Sequence, residues 1–346
     1  MHRFFRELSV QIPLIQSPMA GAQNEELAIA VAESGGVGSI PCAASTPAEV
    51  HRAATRFQKA TDGPLNLNFF CHKTVDRDPR REAMWLAELK KYYDELSIVP
   101  NYPETTHPRA LDVDMIDVVC DIKPNIVSFH FGLPVSAHIE RIRATGAKII
   151  ATATTLEEAK FLQEKGCDAV IAQGDEAGGH QGAFIPLKVI TRSSTVDLVT
   201  EVSNALSIPV IAAGGVSNRA GIRNAMAAGA SGVQIGTRFL KSNESKISPL
   251  HRRILNGDED RETAITNVFT GRPARGFVNR LVHEIGPMNI NAQTFPLAIS
   301  ALIPLRAATI GSEDFVSLWA GKNWKVGKTK PAADIVRELS EAFHPN

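Results

Sequence analysis

The chain has 346 residues, of which 44% are hydrophobic and 21% are charged. These values are ordinary for a globular protein, and the length allows either one large α/β domain with an insertion or two domains. Lysine plus arginine and aspartate plus glutamate both total 37, so the formal net charge is zero. Because nucleic acids and acidic membranes favour basic surfaces, this balance supports neither as a partner.

The cysteines and the N-terminal segment bear on where the protein works. The four thiols are far apart and show no paired metal-ligand spacing, at Cys42, Cys71, Cys120 and Cys167. Isolated thiols without a secretory signal are typical of reduced packing residues. Residues 1–14 contain no continuous apolar segment, and no stretch of the chain reaches membrane-spanning length. We therefore expect a cytoplasmic protein with no membrane partner.

Short apolar runs alternate with amphipathic segments through the first 240 residues. The apolar runs predict eight strands, at Ile12–Met19, Val37–Pro41, Leu65–Phe70, Asn125–Phe131, Lys148–Ala153, Ala169–Gln173, Pro209–Gly215 and Gly232–Leu240. The amphipathic segments predict helices at Asn24–Ser34, Thr46–Ala60, Asp78–Leu96, Asp112–Cys120, Val135–Ala144, Thr155–Lys165, Ser194–Ala205 and Asn218–Ala228. Three prolines within Pro100–Pro108 predict an irregular loop.

Eight strands with helices between them, in about 240 residues, predict an α/β protein with a (β/α)8 TIM barrel. The alternative is an open doubly wound sheet, which carries its glycine fingerprint directly after the first strand. The glycine-rich segment Ser34–Gly38 follows a helix and precedes a strand instead, so we favour the barrel. After Leu240 the pattern turns polar and irregular, without clear strand alternation. We expect residues 1–241 to form the barrel, 242–302 a smaller, mainly helical cap or substrate domain inserted after strand 8, and 303–346 a C-terminal segment returning to the barrel.

Polar or glycine residues stand at most of the predicted strand ends, which form the ligand-binding face of such a barrel. They are Gln16, Ser17, Asn68, His130, Thr152, Gln173, Gly214, Gly215, Gln234 and Thr237. Any one of these side chains could simply satisfy nearby backbone groups. Their concentration at one face favours a polar ligand.

Residues 169–184, AVIAQGDEAGGHQGAF, join a buried strand to a glycine-rich loop that carries His180. Glycines permit positive φ angles and close approach of the backbone to a ligand, and an imidazole among them can meet a substrate. The alternative is an exposed loop whose glycines only make turns. A metal centre is disfavoured, because the histidines include no H-E-x-x-H pair and Asp175 and Glu176 lie too close in sequence to His180 to close a site.

Two glycine segments predict a phosphate site. In TIM barrels the loops after strands 7 and 8 commonly bind phosphate through backbone N–H groups and a helix N-terminus. Here these loops contain AAGGVSN, residues 212–218, and QIGTRF, residues 234–239. We predict a phosphate-bearing ligand near Gly214, Gly215, Gly236 and Thr237, with Ser217 or Asn218 as the cap of the following helix. The alternative is two ordinary strand-to-helix turns.

Five motifs, in this order and spacing, resemble those of the FMN-dependent nitronate monooxygenases, formerly called 2-nitropropane dioxygenases, of the bacterial and fungal class I branch. They are QSPMAGA near the N-terminus, SFHFGLP at 128–134, AQGDEAGGHQG at 172–182, AAGGVSN at 212–218 and GVQIGTRFL at 232–240. The resemblance covers residues 11–240 and extends more thinly to PLR at 304–306 and LWAGK at 318–322.

The resemblance implies FMN as the cofactor and assigns roles to individual residues. His180 matches the catalytic histidine beside the reactive face of the flavin, and His130 would line the substrate pocket, unless its ring is satisfied by the neighbouring backbone. Asn68 and Gln173 would hydrogen-bond the polar edge of the flavin. The implied cofactor-binding residues are Pro18, Met19 and Ala20 against the isoalloxazine, Asn68, Gln173, Gly178 and Gly179 close to the ring, Gly214, Gly215, Gly236 and Thr237 at the phosphate, and Gln234 on strand 8.

The implied reaction is the oxidation of an alkyl nitronate, or of a nitroalkane, by O2 to a carbonyl compound and nitrite. A nitronate carries negative charge on its nitro oxygens, so a hydrogen-bond donor or a cation beside the flavin could bind it. His180 could supply the donor, or abstract the α-proton of a neutral nitroalkane, because an imidazole ordinarily titrates near neutral pH. FMN would perform the redox step while the protein contributes orientation and electrostatics.

Two alternatives stay open at this point. The first is an FMN-dependent NAD(P)H:quinone or enoyl-acyl carrier protein reductase on the same fold, and the second is a flavin-free phosphate-ligand barrel or binding protein. Gln181 stands where the family often has arginine, and the tyrosines, Tyr92, Tyr93 and Tyr102, all lie outside the expected cap. These departures put the substrate range in doubt. We expect a small nitronate or nitroalkane and O2 as partners, no nucleic acid, and a monomer or homodimer.

Overall fold

The computed structural model describes residues 1–103, 108, 110–185 and 193–343. Within the predicted irregular loop Pro100–Pro108, residues 104–107 lie outside the described residues, and residues 100–103 and 108 have no regular secondary structure, as predicted. No helix in these ranges is long and apolar enough to cross a membrane.

The strands and helices alternate through the first two thirds of the chain. The strands are β1 Leu14–Gln16, β2 Gly38–Pro41, β3 Leu65–Phe70, β4 Ile126–His130, β5 Lys148–Ala153, β6 Ala169–Gln173, β7 Gly179–His180, β8 Val210–Ala213, β9 Gly232–Ile235, β10 Thr263–Thr266 and β11 Ala274–Phe277. The helices are α1 Arg3–Glu7, α2 Glu25–Glu33, α3 Pro47–Ala60, α4 Pro79–Glu95, α5 Val113–Ile122, α6 Ser136–Ala144, α7 Leu156–Glu164, α8 Thr195–Ala205, α9 Arg219–Ala227, α10 Thr237–Leu240, α11 Pro249–Asn256, α12 Arg280–Ile285, α13 Ile303–Ala308 and α14 Ala332–Ser340, with a 3-10 helix at Leu297–Leu302.

Eight parallel strands form one sheet, in the order β1-β9-β8-β6-β5-β4-β3-β2. A parallel bridge between Ile15 and Val37 joins its two ends, and the N–H of Gln16 donates to Val37 O at 3.0 Å. The sheet is therefore closed, with helices between consecutive strands. The TIM barrel is confirmed, and the open doubly wound alternative is wrong.

Side-chain alternation along the strands separates the barrel interior from the layer beneath the helices. In β3, Leu65, Leu67 and Phe69 pack in the main core with the surrounding helices, while Asn66 and Asn68 point the other way and bond to neighbouring strands. At the N-terminal end of the strands, α1 inserts Phe4 and Phe5 among the interior side chains of the barrel. The end of the barrel that stays open is therefore the C-terminal end of the strands.

The expected strand Gly232–Leu240 is shorter than predicted. It ends at Ile235, and Thr237–Leu240 turns into α10, where the N–H of Phe239 donates to Gly236 O at 2.7 Å. The assignment of Thr237 to a strand was wrong, because the chain bends into a helical turn at Gly236.

The segment after the barrel contains two strands that the sequence analysis did not predict. β10 and β11 pair antiparallel, and β7 joins the other edge of β11. Each is four residues or fewer, too short for alternation to stand out. Helix α4 packs beneath this segment, since Trp85 and Tyr93 share a buried cluster with Phe269 and Leu302. The division of the chain at residues 241 and 302 stays a prediction.

Candidate active site

His180 lies between the barrel and the three-stranded sheet of β10, β11 and β7. β6 ends at Gln173, and the glycine-rich loop carries the chain to β7, in which His180 pairs with Ala274 and Gly179 with Arg275 of β11. The two-residue segment Gly179–His180 forms a strand here because β11 offers it a partner. The catalytic candidate is therefore held by backbone pairing rather than placed on a free loop.

The imidazole of His180 is half-buried in a largely aromatic pocket. Its Nε2 lies 2.9 Å from the Oγ1 of Thr270. Ring centroids of Phe295, Trp319 and Phe131 lie 5.3, 5.5 and 6.0 Å away. Burial lowers the pKa of His180 to about 3, and the nearby His130 and Arg272 lower it further in the same direction. This direction departs from the near-neutral pKa of an ordinary imidazole, because the surrounding rings reduce its contact with water and disfavour its charged form.

His130 and Gln173 hold the backbone of the histidine loop. The Nε2 of His130 lies 3.1 Å from the carbonyl oxygen of His180, and its Nδ1 lies 3.1 Å from the Oγ1 of Thr152. The Nε2 of Gln173 donates to the same His180 oxygen at 3.0 Å, and its Oε1 accepts from the N–H of Gly182 at 2.7 Å. Burial lowers the pKa of His130 to about 4. Both side chains therefore position the loop, whatever else they bind.

The glycines after β8 and β9 form the predicted anion-binding end of the site. Gly214 and Gly215 have φ angles of +115° and +65°, which side chains with a Cβ rarely adopt. They lead into α9, whose N-cap Asn218 accepts from the N–H of Gly221 at 2.8 Å. The Oγ of Ser217 is buried and has no hydrogen-bond partner among the described residues. Backbone donors and an unused hydroxyl thus converge at a helix N-terminus.

The segment Leu318–Asn323 runs along one edge of the site and connects its two ends. Trp319 packs against His180, and the N–H of Gly321 donates to the Oγ1 of Thr237 at 3.0 Å. The Nδ2 of Asn323 donates to Gly215 O at 2.6 Å. The LWAGK motif, which carried only part of the resemblance, therefore contacts the candidate phosphate loop after β9, and the adjacent Asn323 contacts the one after β8.

The segment Leu318–Asn323 leaves no room for a Cβ at Gly178. A Cβ at Gly178 would stand 2.6 Å from Gly321 N and 2.7 Å from Ala320 C, both backbone atoms. By contrast, Gly179 has a φ of +75°, and a Cβ at this position would meet nothing within 4 Å. A Cβ at Gly179 would therefore have room, whereas at the exposed Gly178 it would point into the backbone of the Leu318–Asn323 segment.

The loop after β1 lies beside the end of β9. Pro18 and Met19 are half-buried and Ala20 is exposed, and the N–H of Met19 donates to the Oε1 of Gln23 at 2.9 Å. A Cβ on Gly236 would lie 3.7 Å from the Met19 sulfur. The predicted ring-contacting loop thus borders the predicted phosphate loop.

Two further predicted cofactor contacts differ in how far the chain already satisfies them. Asn68 donates through Nδ2 to the Oγ of Ser128 at 2.9 Å. Gln234 has a buried Oε1 without a hydrogen-bond partner in the ranges described. A buried amide oxygen left without a donor is costly, so Gln234 is suited to accept a hydrogen bond from a ligand.

The acidic residues of the glycine-rich loop are engaged in holding the loop. Asp175 lies 2.9 Å from the Nζ of Lys322, and the Oε2 of Glu176 accepts from the N–H and the Oγ1 of Thr195 at 2.9 and 2.8 Å. Among the described residues no cluster of histidine, cysteine, aspartate and glutamate has the arrangement of a metal site.

The sequence profile of the nitronate monooxygenase family matches residues 3–342. The chain belongs to the nitronate monooxygenase family. The resemblance stated from five motifs is thereby confirmed, and it extends through the cap and the C-terminal segment.

Individual relatives agree with this assignment. A nitronate monooxygenase from Pseudomonas aeruginosa is 38% identical over 345 residues, covering 98% of each protein. The crystal structure of a nitroalkane oxidase from Streptomyces ansochromogenes is 33% identical with a TM-score of 0.86, and the match covers 98% of this chain and 99% of that one. FabK from Thermotoga maritima is 27% identical with a TM-score of 0.75, covering 99% and 96%.

Nitronate monooxygenases are flavoenzymes, so membership of the family implies a flavin in this chain. The residues present fit such a group. The buried, unpartnered Gln234 Oε1 and Ser217 Oγ point to a polar ligand, and Gly214 and Gly215 adopt positive φ angles just before the N-terminus of α9.

Several residues of this nitronate monooxygenase pocket were missed in the sequence. Thr270 and Arg272 come from the turn between β10 and β11, and Phe295 from the chain before the 3-10 helix. None stands at the end of a barrel strand, where the sequence pattern places the candidate site residues. The three tyrosines lie outside the expected cap in sequence but contact it in the structure. For example, the hydroxyl of Tyr93 donates to Ala301 O at 2.6 Å.

Proposed function

We propose that the protein catalyses the oxidative denitrification of alkyl nitronates with O2, giving a carbonyl compound and nitrite, with FMN as the cofactor. The observation that supports this most directly is the half-buried imidazole of His180, in a largely aromatic pocket that favours its neutral form, beside loops suited to an FMN phosphate. Membership of the nitronate monooxygenase family supports the same reaction.

The residues that would hold FMN divide into two groups. Backbone N–H groups at Gly214, Gly215 and Gly236, with the hydroxyls of Ser217 and Thr237, would bind the phosphate. At the ring end, the residues are Pro18, Met19, Ala20, Asn68, Gln173, Gly179 and Gln234, while Gly178 would act through the packing of its neighbours. When bound, the flavin would supply the capacity to accept electrons from the substrate and pass them to O2.

The chain's own residues would bind and orient the substrate. Because burial keeps the pKa of His180 at about 3, its imidazole is neutral at physiological pH and acts through hydrogen bonding rather than through positive charge. A base with so low a pKa is poorly matched to abstracting the α-proton of a nitroalkane at neutral pH. The site is therefore better suited to a substrate that arrives already as the nitronate anion.

Aerobic nitrite release from an alkyl nitronate, in the absence of NAD(P)H, tests the proposal. We expect turnover by the yellow, FMN-containing protein, and we expect His180→Asn to retain FMN but lose most of that turnover. Full activity in His180→Asn would remove its catalytic role. Rapid bleaching of the flavin by NADH without nitronate turnover would instead indicate the reductase, and a folded protein that takes up no FMN would indicate the flavin-free alternative.

Other features stay predictions. Gel filtration combined with light scattering distinguishes the predicted monomer from the homodimer. Cytoplasmic location can be checked by fractionation of the cells that produce the protein.

A further inference from the structure

Arg272 places a cation beside the His180 pocket. Its guanidinium carbon lies 4.1 Å from the ring centroid of Phe131 and 5.7 Å from that of Phe295. Its Nη1 donates to Ala183 O at 3.3 Å, a long hydrogen bond. Two aromatic faces and one weak bond therefore fix the plane of a group that carries five N–H donors.

No carboxylate of the described chain lies within salt-bridge distance of this guanidinium. The acid that most attracts Arg272 is Glu158. The Oε1 of Glu158 accepts from the N–H of Phe184 at 2.6 Å, and its Oε2 accepts from the N–H of Thr154 at 2.7 Å. The carboxylate of Glu158 is thus committed to backbone N–H groups. A half-buried cation whose most attractive acid is already bound to backbone N–H groups is suited to bind an external anion.

The field of Arg272 reaches three imidazoles of the same pocket. It lowers the pKa of His180, of His130 and of His72, each of which burial lowers more strongly. All three rings are therefore neutral at physiological pH, and Arg272 supplies the positive charge. The Nδ1 of His72, a side chain 7% exposed, is buried without a hydrogen-bond partner in the described ranges, and its ring centroid lies 5.0 Å from that of Phe295.

We propose that Arg272 binds the two nitro oxygens of the nitronate anion and thereby selects the anion over the neutral nitroalkane. This inference rests on the proposed function and adds the residue that determines substrate charge. The planar fork of a guanidinium matches two oxygens on one atom, as it matches a carboxylate. In a half-buried pocket, where the effective dielectric is lower than in bulk water, this charge-assisted contact discriminates more strongly than it would at the surface.

Two measurements with Arg272→Met, Arg272→Gln and Arg272→Lys test the proposal. The first is calorimetric titration of the holoprotein with nitrate, a planar anion that, like a nitronate, presents two oxygens of one nitrogen to a guanidinium. Losing a charge-assisted hydrogen bond should weaken nitrate binding roughly 10- to 100-fold in the methionine and glutamine variants. The lysine variant keeps the charge without the fork, so we expect an intermediate loss.

The second measurement is the ratio of kcat/KM for an alkyl nitronate to that for the corresponding nitroalkane. It should fall at least about tenfold in Arg272→Met, because only the anion uses the charge. Flavin content and urea unfolding establish that each variant is folded, and Arg272→Gln replaces Arg272→Met if the latter is not. Loss of packing alone would depress both substrates equally.

The outcomes separate this proposal from the proposed function. Wild-type nitrate affinity in folded Arg272→Met and Arg272→Gln, or an unchanged substrate ratio, would overturn the role of Arg272. A wild-type protein that releases no nitrite from any nitronate would overturn the proposed function, while the nitrate titration would still decide whether Arg272 forms an anion site.

Discussion

Acid should destabilise this protein through its buried imidazoles, and His251 gives the clearest test because it lies outside the candidate site. His251 belongs to α11 and is 7% exposed, and its Nε2 is buried without a hydrogen-bond partner in the part of the chain described. Burial, together with the neighbouring Arg252 guanidinium, lowers its pKa from 6.5 to about 4. Such a group binds its proton first in the unfolded state. Its contribution to stability is therefore present above pH 6.5 and is lost as the pH falls towards 4.

The size of the effect follows from the two pKa values. Between pH 8 and pH 5, this one histidine should remove about 2 kcal/mol from the free energy of unfolding. His251→Gln retains a polar side chain that does not titrate, so its loss over the same interval should be smaller by about that amount. Urea unfolding of both proteins at the two pH values, each saturated with flavin, measures the difference.

A matched control removes an imidazole without burial. His283 lies on α12 with an exposed side chain, so His283→Gln should lose as much stability on acidification as the wild type. Any pH dependence of flavin binding is common to all three proteins and cancels. Equal losses in the wild type and His251→Gln would refute the argument from burial.

Two further substitutions probe the site. Gly178→Ala should lower the free energy of unfolding by about 1–3 kcal/mol, because its Cβ would stand 2.6 Å from Gly321 N. The control is Gly257→Ala, whose Cβ would meet nothing closer than 3.4 Å. Equal urea midpoints for the two variants would contradict the prediction. Thr270→Val removes the hydroxyl that lies 2.9 Å from the Nε2 of His180 and orients the imidazole. It should lower kcat for nitrite release roughly five- to tenfold, and Thr270→Ser should restore kcat. A normal kcat in the valine variant would exclude the orienting role of Thr270.

Local pattern was sufficient to predict the barrel. The strands Leu65–Phe70, Lys148–Ala153 and Ala169–Gln173 match the structure residue for residue, because period-two alternation or a continuous apolar run is required where a strand is buried between barrel interior and helices. Helix starts were equally local: Thr46 and Glu49 form a reciprocal capping box, and both of its hydrogen bonds lie within one turn.

The cap side of the site depends on contacts between distant parts of the chain. β7 has two residues and exists because β11, more than ninety positions later, offers it an edge. Likewise, the requirement for glycine at 178 comes from the backbone of Gly321. Neither the pairing of β7 nor the steric requirement at Gly178 produces a periodic pattern in the surrounding sequence. The turn that carries Thr270 and Arg272 was therefore read only as part of a polar cap.

Burial of the His180 pocket has two electrostatic consequences that act together. It favours the neutral form of the His180, His130 and His72 imidazoles, so these rings supply neither an effective base nor a positive charge. It also lowers the effective dielectric around Arg272, which strengthens the attraction of that guanidinium for an anion. A pocket of this kind is poorly equipped to ionise a nitroalkane but well equipped to bind a nitronate that has ionised in water. On this reasoning the aromatic walls and Arg272 determine the protonation state of the accepted substrate, before any step of the chemistry takes place.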